Sequence, residues 1–84
     1  MFLVKFFINL KPTVNDAQGQ TIQGALRHLG FDKVDKVRVG KYMEISLNVK
    51  NKDEASQMSK DMCEKLIANP VIEDYRFEVE SLDV

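Results

Sequence analysis

Val34-Asp35-Lys36-Val37-Arg38-Val39-Gly40-Lys41-Tyr42-Met43-Glu44-Ile45-Ser46-Leu47-Asn48-Val49-Lys50 is the stretch that decides the fold. Met43, Ile45, Leu47 and Val49 alternate with Glu44, Ser46, Asn48 and Lys50. Side chains on a strand point to opposite faces with period two, so this run reads as a strand with one buried face. Val37 and Val39 share the parity of Met43, yet Lys41 falls between them on that face. A two-residue hairpin at Gly40-Lys41 would pair Val39 with Tyr42 and turn both valines toward the polar side. Two arrangements keep them inside: a three-residue loop from Gly40 to Tyr42, or one long strand that bends at Gly40 and leaves the core before Lys41. The long strand is preferred, and the choice between three and four strands stays open.

Working outward, the first segment alternates as well. Phe2, Val4, Phe6, Ile8 and Leu10 point one way and Leu3, Lys5, Phe7 and Asn9 the other, a strand signal reinforced by aromatic and β-branched residues. Leu3 and Phe7 lie on the nominal solvent face, where Tyr42 or Ile72 joins them. Exposed apolar patches are uncommon on monomers, so this face is expected to be covered by a second subunit. Lys11-Pro12 ends the strand. Asn15 or Asp16 is a suitable N-cap for a helix running to about Leu29, with Ile22, Ala25, Leu26 and Leu29 as its buried stripe. Gly30 follows as the residue after the C-cap, and Gly24 is expected to allow close packing on the sheet.

Asn51, with Glu54 three residues on, resembles a capping box and opens a second helix. Its expected stripe is Ala55, Met58, Met62 and Leu66, with Cys63 and Ile67 beside it. Asn69-Pro70 stops the helix, because the residue before proline is driven out of the α region. Val71, Tyr75, Phe77 and Val79 form a last strand. The order is β-α-β(β)-α-β. It predicts an α+β two-layer sandwich, an antiparallel sheet of three long strands with two helices on one face, related to the ferredoxin-like fold.

The chain has 84 residues, enough for a single domain, expected over 1–80 with 81–84 as a frayed C-terminus. A chain this short buries only roughly 60–65% of its unfolded surface, so its core needs reinforcement. The single cysteine, Cys63, permits no internal disulfide and leaves oligomerisation as the route. Twelve basic and 13 acidic residues give a net charge of −1, which argues against nucleic acid or an anionic membrane as partner. The apolar N-terminus carries Lys5 and Asn9 and is too short to span a bilayer. The expected compartment is the cytoplasm.

Catalytic constellations are hard to find. His28, the only histidine, sits at a helix end, where the helix dipole favours a cation, and no motif supplies it with a nucleophile. Cys63 lies among apolar helix neighbours, as inert packing cysteines do. Gly19 and Gly24 have phosphate-loop spacing, but Ala25 and Leu26 stand where Lys and Ser or Thr are required. Phe6-Phe7-Ile8-Asn9-Leu10 resembles the first-strand motif of RNA-recognition domains, while Met43-Glu44-Ile45-Ser46-Leu47 lacks the aromatics of the companion motif. No catalytic, cofactor-binding or metal-binding residue is therefore expected in this chain.

Two longer runs go beyond generic α+β sequence: Val37-Arg38-Val39-Gly40-Lys41-Tyr42-Met43-Glu44 and Cys63-Glu64-Lys65-Leu66-Ile67-Ala68-Asn69-Pro70-Val71-Ile72-Glu73-Asp74-Tyr75. With Leu10-Lys11-Pro12, Asp16-x-x-Gly19 and Gly24-Ala25-Leu26, they resemble the PurS family, the small subunit of phosphoribosylformylglycinamidine (FGAM) synthase, over roughly Val4 to Phe77. Ala17 departs from the pattern, which has proline there. The resemblance implies a structural subunit without catalysis in de novo purine biosynthesis. It would be a dimer or dimer of dimers bridging a PurQ-type glutaminase and a PurL-type synthetase. ATP and magnesium would belong to the synthetase, which activates formylglycinamide ribonucleotide for attack by ammonia. The candidate interface residues are Leu3, Phe7, Arg38, Gly40, Lys41, Tyr42, Asn69, Pro70, Glu73, Asp74 and Tyr75. The competing reading is a small-molecule regulatory module of ferredoxin-like type.

Overall fold

The computed structural model describes residues 1–82. Strand β1 spans Phe2–Leu10, helix α1 Ala17–His28, strand β2 Gly40–Leu47, helix α2 Lys52–Met62 and strand β3 Glu73–Ser81, with a π-helical turn at Cys63–Ile67. The sheet is antiparallel with β1 in the centre, in the order β2-β1-β3. Register follows the alternation: Phe6 sits opposite Met43 and Phe77, and Val4 opposite Ile45 and Val79. Phe2, Val4, Phe6 and Ile8 are thereby buried on one face, with Leu47, Ala55, Cys63 and Ala68 completing the core beneath α2. No helix of the described residues is long and apolar enough to cross a membrane.

The β2 segment forms no hairpin with what precedes it. Hydrogen-bonded pairing with β1 begins at Gly40 opposite Asn9, and residues 34–39 run into β2 outside any helix or strand. The sheet has three strands. Gly40 is required at this joint, because a β-carbon there would strike the Asn9 side chain and lie 2.8 Å from the Ile8 carbonyl oxygen.

Helix α2 starts as its capping residues dictate, with the Asn51 side chain accepting from the Glu54 N–H at 2.8 Å. Ala55, Ser59 and Cys63 face the core. Ser59, which reads as polar, is fully buried because its hydroxyl donates to the Ala55 carbonyl at 2.7 Å. Beyond Cys63 the helix widens, and the Ala68 N–H reaches the Cys63 carbonyl five residues back at 3.0 Å. The wider turn rotates the stripe, so Leu66, expected to be buried, is 86% exposed. Val71, expected in the last strand, lies before β3 and is exposed. Ser81, expected in a frayed tail, pairs opposite Phe2; positions 83 and 84 of that tail fall outside the described residues.

Helix α1 takes its expected limits, with Asp16 as N-cap and Gly30 at a φ of 99° after its end. Its position differs from expectation. It makes no substantial packing contact with the sheet or with α2, and Gly19 is its only buried residue. Ile22 and Leu29 are exposed and Leu26 only half-buried. Gly24 has nothing within 4 Å of where a β-carbon would stand, so it serves no close approach. Residues 11–39 form an arm extending from the sheet, in a molecule of 50 × 31 × 14 Å.

Candidate subunit interface

The interface residues foreseen from sequence fall into three places. Leu3, Phe7 and Tyr42 share the outer face of the sheet, the side away from α2. Phe7 lies opposite Tyr42 on one neighbouring strand and Arg76 on the other. The Tyr42 ring packs at 5.1 Å between centroids, and the Arg76 guanidinium lies over the Phe7 ring at 3.9 Å. Phe7 and Leu3 are therefore half-buried within a single chain. Around them the face is charged: Lys5 pairs with Glu80 at 3.1 Å, Arg76 with Glu78 at 2.8 Å, and the Tyr42 hydroxyl donates to Glu44 at 2.7 Å. That hydrogen bond to an anion holds the Tyr42 phenol above its ordinary pKa. Carboxylates outnumber cations on this face, so it offers a partner an aromatic centre in an acidic frame.

The second place is the end of the sheet where the arm departs. Asn69 begins a tight turn in which its side chain accepts from the Val71 N–H at 3.1 Å and its carbonyl from the Glu73 N–H at 2.7 Å. Pro70 occupies this turn, exposed. The Glu73 carboxylate returns to accept from the Asn69 N–H at 2.7 Å and pairs with Lys41 at 3.3 Å across the sheet. The Asn69 N–H and, after it, the Lys41 ammonium hold the Glu73 carboxyl below its usual pKa. Asp74, largely exposed, pairs with Lys11 at 3.4 Å, while Tyr75 is half-buried against the core. Lys41, Asn69 and Glu73 thus form one clasp, which the sequence spacing of 28 to 32 residues does not reveal.

Arg38 belongs to the third place, the root of the arm. Its guanidinium donates to the Val14 and Lys11 carbonyls, each at 3.0 Å, so it ties the end of the arm to its beginning, just past β1. Asp16, which sequence reading identifies only as a cap, joins the same root. One carboxylate oxygen accepts from the Gly19 N–H at 2.9 Å and the other from the Val39 N–H at 2.6 Å. These two donors, with Arg38 nearby, lower its pKa. Gly19 must lack a side chain here, since a β-carbon would collide with the Val37 carbonyl oxygen.

None of these places is arranged as a reaction centre. The Cys63 thiol is buried, and burial pushes its pKa up, which keeps it protonated. Among the described residues no group of three or more His, Cys, Asp or Glu side chains is placed to hold a metal ion. Met43, expected on the buried face of its strand, and Met58 and Met62, expected in the buried stripe of the second helix, line an open apolar groove between β2 and α2, with Met62 also packed against the core.

Comparison with known proteins agrees along nearly the whole chain. The family model for PurS, phosphoribosylformylglycinamidine (FGAM) synthase, matches residues 3–81. The PurS subunit of Bacillus subtilis is 46% identical over 82 residues, covering 98% of this chain and 96% of that protein. The crystal structure of Methanocaldococcus jannaschii PurS, a subunit of formylglycinamide ribonucleotide amidotransferase, superposes with a TM-score of 0.90 at 38% identity, covering 99% of this chain and all of that one. A chain of the PurLQS structure from Thermotoga maritima matches with a TM-score of 0.80 at 35% identity, covering 92% of this chain and 96% of that one. A β1-centred sheet closed by the Lys41–Glu73 clasp, matched over nearly its full length in sequence and in backbone, places this chain in the PurS family of phosphoribosylformylglycinamidine synthase subunits.

Proposed function

We propose that this chain is the non-catalytic subunit that joins the glutaminase and synthetase subunits of phosphoribosylformylglycinamidine synthase in purine biosynthesis. The observation that carries this reading is the match of 92% of this chain to a chain of the PurLQS structure from Thermotoga maritima. The residue chemistry supports it. The one thiol is protonated and enclosed, and the ordered carboxylates of Asp16 and Glu73 are spent on backbone N–H groups of their own chain. The chain works as a cytoplasmic homo-oligomer whose charged outer sheet face and sheet end meet the larger subunits. ATP and magnesium are handled by the synthetase, and ammonia released by the glutaminase reaches it through the assembled complex.

Reconstitution tests this directly. Synthetase and glutaminase are mixed with and without the chain and supplied with either glutamine or free ammonia. Glutamine-driven synthesis should require the chain, while ammonia-driven synthesis should proceed without it. Equal glutamine-driven rates in both mixtures would remove the bridging role.

A further inference from the structure

The outer face of the sheet carries one arrangement on both sides of β1, and this chain supplies the cation for it on one side only. Residues two apart on a strand share a face. Arg76 and Glu78 do so on β3, and Tyr42 and Glu44 on β2. Phe7 stands opposite both Arg76 and Tyr42, and Lys5 opposite both Glu78 and Glu44. On the β3 side the Arg76 guanidinium lies over the Phe7 ring at 3.9 Å and donates to Glu78 at 2.8 Å. A flat cation there rests on a ring and bonds a carboxylate at its edge.

On the β2 side a ring and a carboxylate are again two residues apart. Tyr42 is 54% exposed, and its hydroxyl donates to Glu44 at 2.7 Å, which holds that carboxylate at the rim of the ring. A carboxylate accepts several hydrogen bonds, so the hydroxyl uses only part of what the exposed Glu44 offers. Lys5, opposite Glu44 in register, is drawn to Glu80 at 3.1 Å. Arg76 pairs with Glu78 and Lys11 with Asp74, so the carboxylate in excess on this face is Glu44. A guanidinium suits ring and carboxylate together better than an ammonium does, because its plane stacks while its edge donates.

We propose that Tyr42 and Glu44 form a seat for an arginine side chain on a basic surface of one of the larger subunits. The arginine belongs to another protein because this chain has three, Arg27, Arg38 and Arg76, and each is engaged within it. Arg27 and Arg38 donate to backbone carbonyls of the arm and Arg76 to Glu78. A second copy laid face to face would bring acidic surface against acidic surface, which opposes association, whereas a basic surface complements it. The proposal rests on the reading of the chain as a connector of larger subunits and names the chemistry of one contact.

Two measurements on the full-length chain test it. In the first, the isotopically labelled chain is titrated at low salt with the blocked peptides Gly-Arg-Gly and Gly-Lys-Gly. The arginine peptide should move the amide resonances of Tyr42 and Glu44 and bind at least about threefold more tightly than the lysine peptide. Glu44→Gln, which keeps the shape and removes the charge, should weaken it about fivefold. In the second, sedimentation follows binding of the chain to a mixture of synthetase and glutaminase. Glu44→Gln and Tyr42→Leu should each weaken binding at least about tenfold with circular dichroism unchanged. Asp53→Asn, the same loss of charge at an exposed position on α2, should leave binding as it is. Equal response to both peptides, or no response at Tyr42 and Glu44, overturns the seat. So does a Glu44→Gln effect confined to self-association, which would make the occupant a second copy. A Glu44→Gln chain that binds the larger subunits and restores glutamine-driven synthesis as the wild type does removes the seat and leaves the bridging role standing. A chain that the larger subunits ignore, yet whose Tyr42 and Glu44 select the arginine peptide, keeps the seat and loses the bridging role.

Discussion

In the body of the molecule, β1 carries Phe2, Val4, Phe6 and Ile8 into a core shared with Ala55 and Cys63; in the arm, Asp16 and Gly19 are the only buried residues. The body is held by apolar burial, which needs no exact geometry and adds up over many atoms. The arm is held by side chains reaching backbone groups: Asp16 to Gly19 and Val39, Arg38 to Lys11 and Val14, Arg27 to Val34 and Asp35. Hydrogen bonds near water contribute modestly, because water competes for both partners. A segment ordered in this way keeps its shape but has little stability of its own, and it presents apolar side chains for another surface to cover.

The largest break in this contrast comes from the body. Phe6→Ala should destabilise by about 3–5 kcal/mol, the range for emptying an aromatic site in a packed core. Leu29→Ala, at a site 72% exposed, should change the unfolding free energy of the dilute chain by less than about 0.5 kcal/mol. Urea unfolding of both variants checks the pair. Comparable losses would mean that α1 is packed as tightly as β1.

Gly40→Val acts on the joint between the two regions and should cost about 1–3 kcal/mol, as overpacking does, because the Ile8 carbonyl it meets is backbone and cannot rotate away. The same measurement reads it, and wild-type stability in this variant would show that the joint can open without loss.

Acid separates the regions by another route. The pKa of Asp16 is lowered in the fold by the Val39 and Gly19 N–H groups. Its contribution is therefore complete above the unfolded carboxyl value near 3.8 and is lost as pH falls through the lower folded value. The amide resonances of Gly19 and Val39 should depart from their folded positions in that range while those of Phe6 and Val4 hold. Asp16→Asn should remove this pH dependence. Arm and core resonances that shift together at one pH would contradict the division.

How much of this was legible beforehand depends on what each pattern encodes. The β1 alternation and the caps at Asp16 and Asn51 are local, and each appears where the residues place it. The stripe of Ile22, Leu26 and Leu29 is legible as a stripe yet stands largely exposed, because periodicity reports a face suited to burial and not the surface that buries it. Leu66 stands outside the buried stripe because the π-helical turn depends on Ala68 reaching Cys63, which helical spacing does not contain. Arg38 and Glu73 look like solvated or partner-facing charges in sequence. Their actual partners, the carbonyls of Lys11 and Val14 and the Asn69 N–H, are backbone groups that become neighbours only after folding.

The smallest effect sharpens the comparison on the outer face of the body, where packing again gives way to polar contacts. Arg76 has two neighbours there, the Phe7 ring beneath its guanidinium and Glu78 at 2.8 Å. The ion pair is exposed on both sides and should contribute at most about 1 kcal/mol, less in salt. Contact with the ring covers apolar surface and should survive salt at about 0.5–1 kcal/mol. A double-mutant cycle of Arg76→Ala with Phe7→Leu separates the two when repeated at low and high ionic strength. A coupling that persists in salt identifies Arg76 as the lid of Phe7, giving the outer face a cover of its own. Zero coupling at both ionic strengths would leave Tyr42 as the one neighbour of consequence for Phe7 on that rung.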